Sequence, residues 1–205
     1  AQTNYPDKPI TMIVPFPPGG VADTVGRPVA EALARELGQT VVVENRAGSG
    51  GNIGGEAVAK SPPDCYTILM SSGGMVSVNP HIYSKMPFDP AKDLVPVAAA
   101  ARVLVFLVLR AENPSKDFKA FLAHLAALPA QRSLGSPGNG SSPHLAAEMM
   151  KGQTGTFAVH VPYRGAAPAL TDLLGGQIDF LFDPGIAIPH IKAGRLRLLA
   201  VGSPK

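Results

Sequence analysis

The chain has a single cysteine, Cys65, so no disulfide bond can form within it. Scarcity of cysteine by itself does not decide between a reducing and an oxidising compartment. The apolar run VLVFLVL, residues 103–109, is bounded by Arg102 and Arg110 and is far too short to span a bilayer. Lysine and arginine form no run and do not alternate with aromatic residues, so no nucleic-acid-binding surface is predicted.

The usual catalytic and cofactor-binding motifs are also missing. No serine lies in a G-x-S-x-G segment, and no glycine-rich loop continues into Gly-Lys-Ser or Gly-Lys-Thr. The segment NRAGSGGNIGG, residues 45–55, follows a predicted strand as a dinucleotide-binding loop would, but Ile53 stands where the third glycine is needed. The five histidines lack the spacing of metal ligands. No cofactor, metal site or catalytic residue is therefore predicted.

The chain does contain enough apolar sequence for a packed core. Hydrophobic residues make up 45% and charged residues 16% of the 205 residues, which argues against disorder. The formal net charge is +3, a weak positive field that suits small anionic ligands. The polar start AQTNYPDKP begins as chains do after a signal peptide is cleaved, which predicts an exported, periplasmic protein.

Short apolar strands alternate with helical patterns along the chain. This alternation predicts an α/β protein with parallel sheets that carry helices on both faces. The predicted strands cover residues 10–14, 40–44, 66–72, 103–109, 132–136, 158–163, 177–183 and 196–203. The predicted helices cover residues 22–37, 53–61, 115–128 with a serine N-cap, 144–153, 165–176 and 184–194. A proline-containing, charged stretch before residue 101 predicts two units, residues 1–100 and 101–205.

The segment PFPPGGVAD, residues 15–23, joins the first predicted strand to the first helix. The first N–H groups of a helix lack intrahelical acceptors and carry partial positive charge, so they attract anions. The N–H groups of residues 20–22 are therefore predicted to bind a carboxylate, because glycine lets the backbone approach a ligand closely. Asp23 is predicted either to cap nearby donors or to meet a ligand amine or hydroxyl. The alternative is a tight turn stiffened by prolines.

A second hydroxyl- and amide-rich turn precedes a helix in the other unit. It lies in GSPGNGSSPHLAAEMM and offers Ser136, Gly138, Gly140, Ser141 and Ser142. Ser142 has a second interpretation as the N-cap of the helix. Asp183 ends the strand QIDFLFD and is predicted to contact a ligand, whereas Asp179 is interpreted as a structural or surface residue.

Together these segments closely resemble one family, from Tyr5 to Ser203 in order. The segments that carry the resemblance are YPDKPITMIVPFPPGGVADTVGRPVAEAL, LGQTVVVENRAGSGGNIGGEAVAKSPPDCYTILM, NPHIYSKMPFDPAKDLVPVA, GNGSSPHLAAEMMK, VHVPYRGAAPALTDLLGGQIDFLFD and PHIKAGRLRLLAVGS. They are similar to the Bug proteins, which are TctC-like periplasmic solute-binding receptors of tripartite tricarboxylate transporters.

The resemblance implies a two-lobed periplasmic-binding-protein (Venus-flytrap) architecture, in which each lobe is a parallel-rich sheet flanked by helices. Such receptors close on a small carboxylate between the lobes, without catalysis, and deliver it to a membrane permease. Two alternatives stay open, a periplasmic sensor input domain for carboxylates and an α/β enzyme acting on a carboxylate. Backbone donors recognise any carboxylate, so these loops imply a class of ligand and not one compound.

The resemblance also assigns ligand-binding positions. The first-lobe loop of the family corresponds here to Phe16, Pro17, Gly19, Gly20, Ala22, Asp23 and Thr24. A further loop corresponds to Ser72 and Gly73, the second-lobe loop to Ser136, Gly140, Ser141 and Ser142, and the strand-end aspartate to Asp183. In the family, backbone amides and bridging water provide much of the carboxylate recognition.

Three departures from the family pattern affect these expectations. Cys65 stands where the family usually has glycine, and Pro184 follows Asp183 where asparagine is common. Family members also continue well beyond Lys205, in a segment that completes the first lobe. We therefore expect either a processed fragment or a homodimer that pairs through an incomplete first lobe.

Overall fold

Strands and helices alternate along the computed structural model, which describes residues 5–128 and 131–203. The chain divides into two compact units, Ala1–Arg102 and Val103–Lys205. The elements of the first unit are β1 (Ile10–Val14), α1 (Val21–Leu37), β2 (Val41–Asn45), a 3₁₀ turn (Ser49–Gly51), α2 (Asn52–Ala59), β3 (Thr67–Leu69), a π-helical turn (Gly74–Val78), α3 (Asn79–Ile82) and α4 (Pro90–Asp93). Those of the second are β4 (Val105–Arg110), α5 (Phe118–Ala127), β5 (Ser133–Ser136), α6 (Ser142–Thr154), β6 (Val159–Pro162), α7 (Ala166–Leu174), β7 (Phe180–Asp183), α8 (Ile188–Lys192) and β8 (Leu196–Gly202).

The first unit is built on a three-stranded parallel sheet in the order β2-β1-β3. The central strand β1 is almost wholly apolar and buried, as expected for a strand covered on both faces. Helix α1 ends at Gly38, whose left-handed φ of 65° favours glycine. Pro28 lies inside α1. The third strand is shorter than the predicted 66–72 and ends at Leu69, although the Met70 N–H still donates to the Ile13 carbonyl.

The second unit contains a five-stranded mixed sheet in the order β6-β5-β7-β4-β8. β5 is parallel to β6 and β7, whereas β4 is antiparallel to both of its neighbours. The expectation of parallel pairing throughout is therefore wrong for β4. A helical crossover forces two strands to be parallel only when they pair, and the strand that follows β4 in the chain is not its neighbour.

Both faces of this second sheet are covered, as predicted from the alternation of strands and helices. Leu107 and Leu109 of β4 point to one face, where Phe121 of α5 packs edge-on against Phe180 of β7. Val108 points to the opposite face, which is covered by α7 and α8. The two-residue period of a strand thus divides one continuous apolar run between two cores.

Helix α5 begins later than predicted, and its N-cap differs. The side chain of Asp117 accepts a hydrogen bond from the Ala120 N–H at 2.8 Å and caps the helix. Ser115, the predicted cap, is buried, and its own N–H donates to Asn113 Oδ1. No helix within residues 5–128 and 131–203 is long and apolar enough to cross a membrane.

Candidate functional site

In the first unit, three loops leave the same edge of the sheet. β1, β2 and β3 are parallel, so the segments that follow their carboxyl ends lie side by side. A Cβ atom added to Gly51 would be 3.4 Å from the Phe16 ring and from Met75 Sδ, which shows how closely the loops approach. The predicted residues Phe16, Pro17, Gly19, Gly20, Ala22, Asp23, Thr24, Ser72 and Gly73 all belong to this edge.

A network centred on Asp23 holds the loop before α1. Asp23 Oδ2 accepts hydrogen bonds from the Gly19 N–H and from Arg27 Nε, both at 3.0 Å. Asp23 Oδ1 lies 2.9 Å from Arg27 Nη2 and accepts from Asn45 Nδ2, which also donates to the carbonyl of Phe16. Sequence analysis identified Asp23 but missed its two partners. Arg27 lies one helical turn after Asp23, and Asn45 is distant from it in sequence.

This network decides the electrostatics of Asp23. Burial alone would raise the pKa of its carboxyl, but the hydrogen bonds and charge of Arg27, with the donors Gly19 and Asn45, lower the pKa below its usual value. Both oxygens are engaged within the loop. The hydrogen bond from the Gly19 N–H shows the predicted capping role of Asp23, and a contact of Asp23 with a ligand stays a prediction.

The N-terminus of α1 is open. Its N-cap, Gly20, has no side-chain hydrogen bond to the helix, and the Gly20 carbonyl accepts from both the N–H and the hydroxyl of Thr24. Within the described part of the chain, the N–H groups of Val21, Ala22 and Asp23 have no acceptor. Three unpaired donors at the positive end of a 17-residue helix form a ready anion-binding group.

The other predicted residues of this edge have local roles. The hydroxyl of Ser72 accepts a long hydrogen bond, 3.4 Å, from the Met75 N–H, and the exposed Gly73 precedes the π-helical turn. Gly54 serves packing, since a Cβ atom on it would lie 2.9 Å from the Cα atom of Pro15. This contact supports the interpretation of residues 45–55 as a packed loop that connects β2 to α2 and not as a dinucleotide-binding loop.

In the second unit, Ser136 ends β5, Gly140 and Ser141 lie in the turn that follows, and Ser142 begins α6. The Ser141 hydroxyl donates to the Gly138 carbonyl at 2.7 Å and accepts from the His144 N–H, so Ser141 is the N-cap of α6. The prediction that Ser142 caps this helix is therefore wrong, because Ser142 is already its first residue.

Two stacked histidines support this turn, which sequence analysis did not predict. The rings of His144 and His160 are parallel within 15°, with centroids 4.1 Å apart. Ser136 Oγ lies 2.6 Å from His160 Nε2, and His144 Nδ1 accepts from the Gly140 N–H. The acceptor role of Nδ1 requires a neutral His144 ring that carries its proton on Nε2.

The surroundings keep both rings neutral. Burial lowers the pKa of His144, and burial together with the neighbouring His144 lowers the pKa of His160 to about 4. Glu148 lies 3.8 Å from His144 Nε2, and Lys151 pairs with the same carboxylate. Ser136 is completely buried, so its pairing with His160 holds the turn and does not present a hydroxyl to solvent.

Asp183 ends β7 and is completely buried. Its Oδ1 atom accepts hydrogen bonds from the Gly185 and Ala187 N–H groups, and its Oδ2 atom is buried without a partner among the described residues. Burial raises the pKa of the Asp183 carboxyl despite these bonds and the nearby His190. The other aspartate of this segment, Asp179, pairs with Arg132 and caps the start of β5, in agreement with its predicted structural role.

A helix start that was not predicted as a site lies at the same sheet edge. β5, β6 and β7 are parallel, so α7 begins beside the carboxyl ends that carry Ser136 and Asp183. Its N-cap, Gly165, gives no side-chain hydrogen bond, and the N–H groups of Ala166 and Ala167 have no acceptor in the described chain. The absence of a capping side chain in YRGAAPAL was the available signal. Within the residues the structure describes, no cluster of three or more potential metal ligands occurs.

The fold is that of the periplasmic binding proteins. A solved periplasmic transporter superposes with a TM-score of 0.94 at 41% identity, covering 98% of this chain and 68% of its own. Rpa4515 of R. palustris, solved with adipate, gives a TM-score of 0.96 at 35% identity, and MatC (Rpa3494) from Rhodopseudomonas palustris, solved with bound malate, gives 0.90 at 28%. In both cases 98% of this chain is covered, with 68% and 69% of the other chains.

The sequence belongs to the family described as the tripartite tricarboxylate transporter family receptor (TctC), whose pattern matches residues 25–205. BugT of Bordetella pertussis is 40% identical over 200 residues, which cover 96% of this chain and 61% of BugT. These findings confirm the resemblance to the Bug proteins and the α/β fold class. The chain spans about six-tenths of the length of the curated relatives it matches. The solved proteins it resembles include a periplasmic transporter and the periplasmic binding protein BugD.

Proposed function

We propose that this chain binds a small carboxylate. The open N-terminus of α1, with three unpaired N–H groups next to a loop fixed by Asp23, carries the proposal. Fixed backbone donors at a helix start recognise a carboxylate through hydrogen bonds and the helix dipole, and they need no cation in the site. The adipate and malate in structures of its relatives support this class of ligand.

We propose that loops of both units contribute ligand contacts. The first contributes residues Phe16–Thr24 with Ser72 and Gly73, and the second contributes the Ser136–Ser142 turn, Asp183 and the open start of α7. In the turn between β5 and α6, the Gly140 N–H, the Ser141 hydroxyl and the His144 N–H are already paired, so these donors are not available to a ligand. In the described part of the second unit, Ala166 and Ala167 offer free amides at a helix start.

We further propose an extracytoplasmic receptor that delivers its ligand to a tripartite tricarboxylate transporter-type permease. Membership of the TctC receptor family supports this role. The role is proposed for the whole protein, and no single residue of this chain carries it.

Calorimetric titration tests the binding proposal. Adipate and malate are titrated into the chain, with adipamide as a control of similar shape that lacks charge. At least one dicarboxylate is expected to bind with saturation, while adipamide binds at least about tenfold more weakly because charged acceptors make the stronger hydrogen bonds. Equal affinity for the acid and the amide would contradict carboxylate recognition.

A further inference from the structure

The first unit contains a cavity that none of the proposed ligand-binding residues lines. It has a volume of about 130 Å³ and lies against one face of α2. Ser49, Asn52 and Glu56 line it from the 3₁₀ turn and α2, and Tyr83 and Lys85 line it from the segment after α3. Polar groups from two chain segments that are distant in sequence thus meet at one cavity.

Asn52 is the buried polar group of this cavity, with only 3% of its surface exposed. Its Oδ1 atom accepts a hydrogen bond of 2.7 Å from Asn79 Nδ2, which also donates to the Gly50 carbonyl. The oxygen is therefore committed, and the orientation of the amide is fixed by a second buried amide. Asn52 Nδ2 donates to no acceptor among the described residues, and it is not one of their fully buried unpaired atoms, so it can be reached from the cavity.

Further donors at the cavity are also unused. The hydroxyls of Ser49 and Tyr83 have no hydrogen-bond partner, and Lys85 has no ion pair, within residues 5–128 and 131–203. Burial raises the pKa of Tyr83, so its hydroxyl stays protonated at neutral pH and can donate. Among the described residues, Glu56 is the carboxylate that lines the cavity, and it forms an ion pair with Lys60, which follows α2.

We propose that this cavity is a second ligand site, which takes a small monocarboxylate of acetate or propionate size. The unpaired ammonium of Lys85 and the neutral donors of Asn52, Tyr83 and Ser49 match a group that is anionic and only accepts hydrogen bonds. At about 130 Å³ the cavity is larger than a single water molecule needs, so a ligand of a few heavy atoms fits in it. The half-exposed side chain of Ile53 offers an apolar surface to a short alkyl group.

Nuclear magnetic resonance titration of the ¹⁵N-labelled chain tests this site through the side-chain amide of Asn52. Sodium propionate is the probe, and propionamide is its neutral control. We expect saturation with a dissociation constant of about 1–10 mM, as fits a ligand of few atoms, and binding of propionamide weaker by about tenfold. The proposal would be overturned if the chemical shift of the Asn52 side-chain amide changed linearly with propionate concentration, without saturation. An equal change with propionate and with propionamide would also overturn it.

Two lysine variants make the test specific. Lys85→Met removes the unpaired cation and is expected to weaken propionate binding about tenfold. Lys119→Met removes an exposed lysine of the second unit and is expected to leave it unchanged. Wild-type affinity in Lys85→Met would refute the site. Because Val21→Pro alters only the proposed α1 site, it is expected to titrate with propionate like the wild type, which separates this proposal from the first.

Discussion

At the scale of single residues, Asp183 combines complete burial with an oxygen that has no partner. Because the pKa of this carboxyl is raised on folding, its contribution to stability is present below the unfolded pKa and is lost as pH rises through the folded value. Asp183→Asn keeps an Oδ1 acceptor for Gly185 and Ala187 and cannot ionise. We expect the free energy of unfolding of Asp183→Asn to increase relative to that of the wild type between pH 4 and pH 7.

Denaturant unfolding of both proteins across this pH range measures the effect. If the free energy of unfolding of Asp183→Asn falls relative to that of the wild type as pH rises, the fold stabilises the charged form of Asp183. That result would contradict the expected effect.

The contribution of His160 to stability is expected to depend on pH in the opposite direction. Its folded pKa of about 4 lies below the unfolded value of about 6.5, so its stabilising contribution is present above pH 6.5 and is lost as pH falls towards 4. His160→Gln cannot titrate and is expected to lose less stability over this interval than the wild type does. Thermal unfolding at closely spaced pH values measures this slope, and His124→Gln, which leaves the histidine pair intact, should keep the wild-type slope. A wild-type slope in His160→Gln would contradict the prediction.

At the scale of elements, the start of α5 separates what sequence predicts from what the structure selects. Serine and aspartate are both good N-caps, and Ser115 and Asp117 both precede the apolar helical pattern. The turn at Asn113 buries Ser115 and leaves Asp117 to cap the helix. Asp117→Ala is expected to cost about 1 kcal/mol of unfolding free energy, whereas Ser115→Ala costs less than about 0.5 kcal/mol. Chemical denaturation measures both, and the reverse order would show that Ser115 is the cap.

The α2 segment depends on close contact between backbones. A Cβ atom at Gly54 would lie 2.7 Å from Pro15 Cβ and 2.9 Å from Pro15 Cα, so one of the two segments would have to move. Gly54→Ala is expected to lower the free energy of unfolding by about 1–3 kcal/mol. Gly152→Ala in α6 is the matched control, because no atom lies within 4 Å of a Cβ atom added there. This change is expected to raise the free energy of unfolding by about 0.5–1 kcal/mol. Equal effects of the two changes in denaturant titrations would refute the packing role of Gly54.

At the scale of the whole molecule, local pattern predicted most of the element order but less of the pairing. The apolar period of β4 identified a strand, yet its antiparallel direction depends on β7 and β8, far along the chain. The glycine-rich turns identified the candidate loops. The groups that fix them, Asn45 for Asp23 and His160 for Ser136, lie too distant in sequence for local spacing to reveal.

The exposed apolar segment before the second unit bears on self-association. Val95 and Val97 are 85% and 92% exposed, in a stretch that forms neither strand nor helix. We expect concentration-dependent self-association, which Val95→Thr combined with Val97→Thr reduces and Val159→Thr in the second unit does not. Sedimentation velocity measures it, and a wild-type monomer at every concentration would remove the expectation of a homodimer.

The central claim concerns the backbone donors at the start of α1, and a proline tests it directly. Gly20 has an extended backbone, φ −78° and ψ 169°, which suits a residue before proline, and proline is tolerated at the first helical position. Val21→Pro therefore removes one N–H group and keeps the helix, while Val21→Ala shortens the side chain and keeps the N–H group.

The measurement is the dissociation constant for the tightest carboxylate found by calorimetry, in both variants. The account predicts that Val21→Pro weakens binding by about 10- to 100-fold, the loss of one hydrogen bond to a charged acceptor, and that Val21→Ala binds like the wild type. Equal binding by the two variants, with both folded, would contradict carboxylate recognition by the α1 amides.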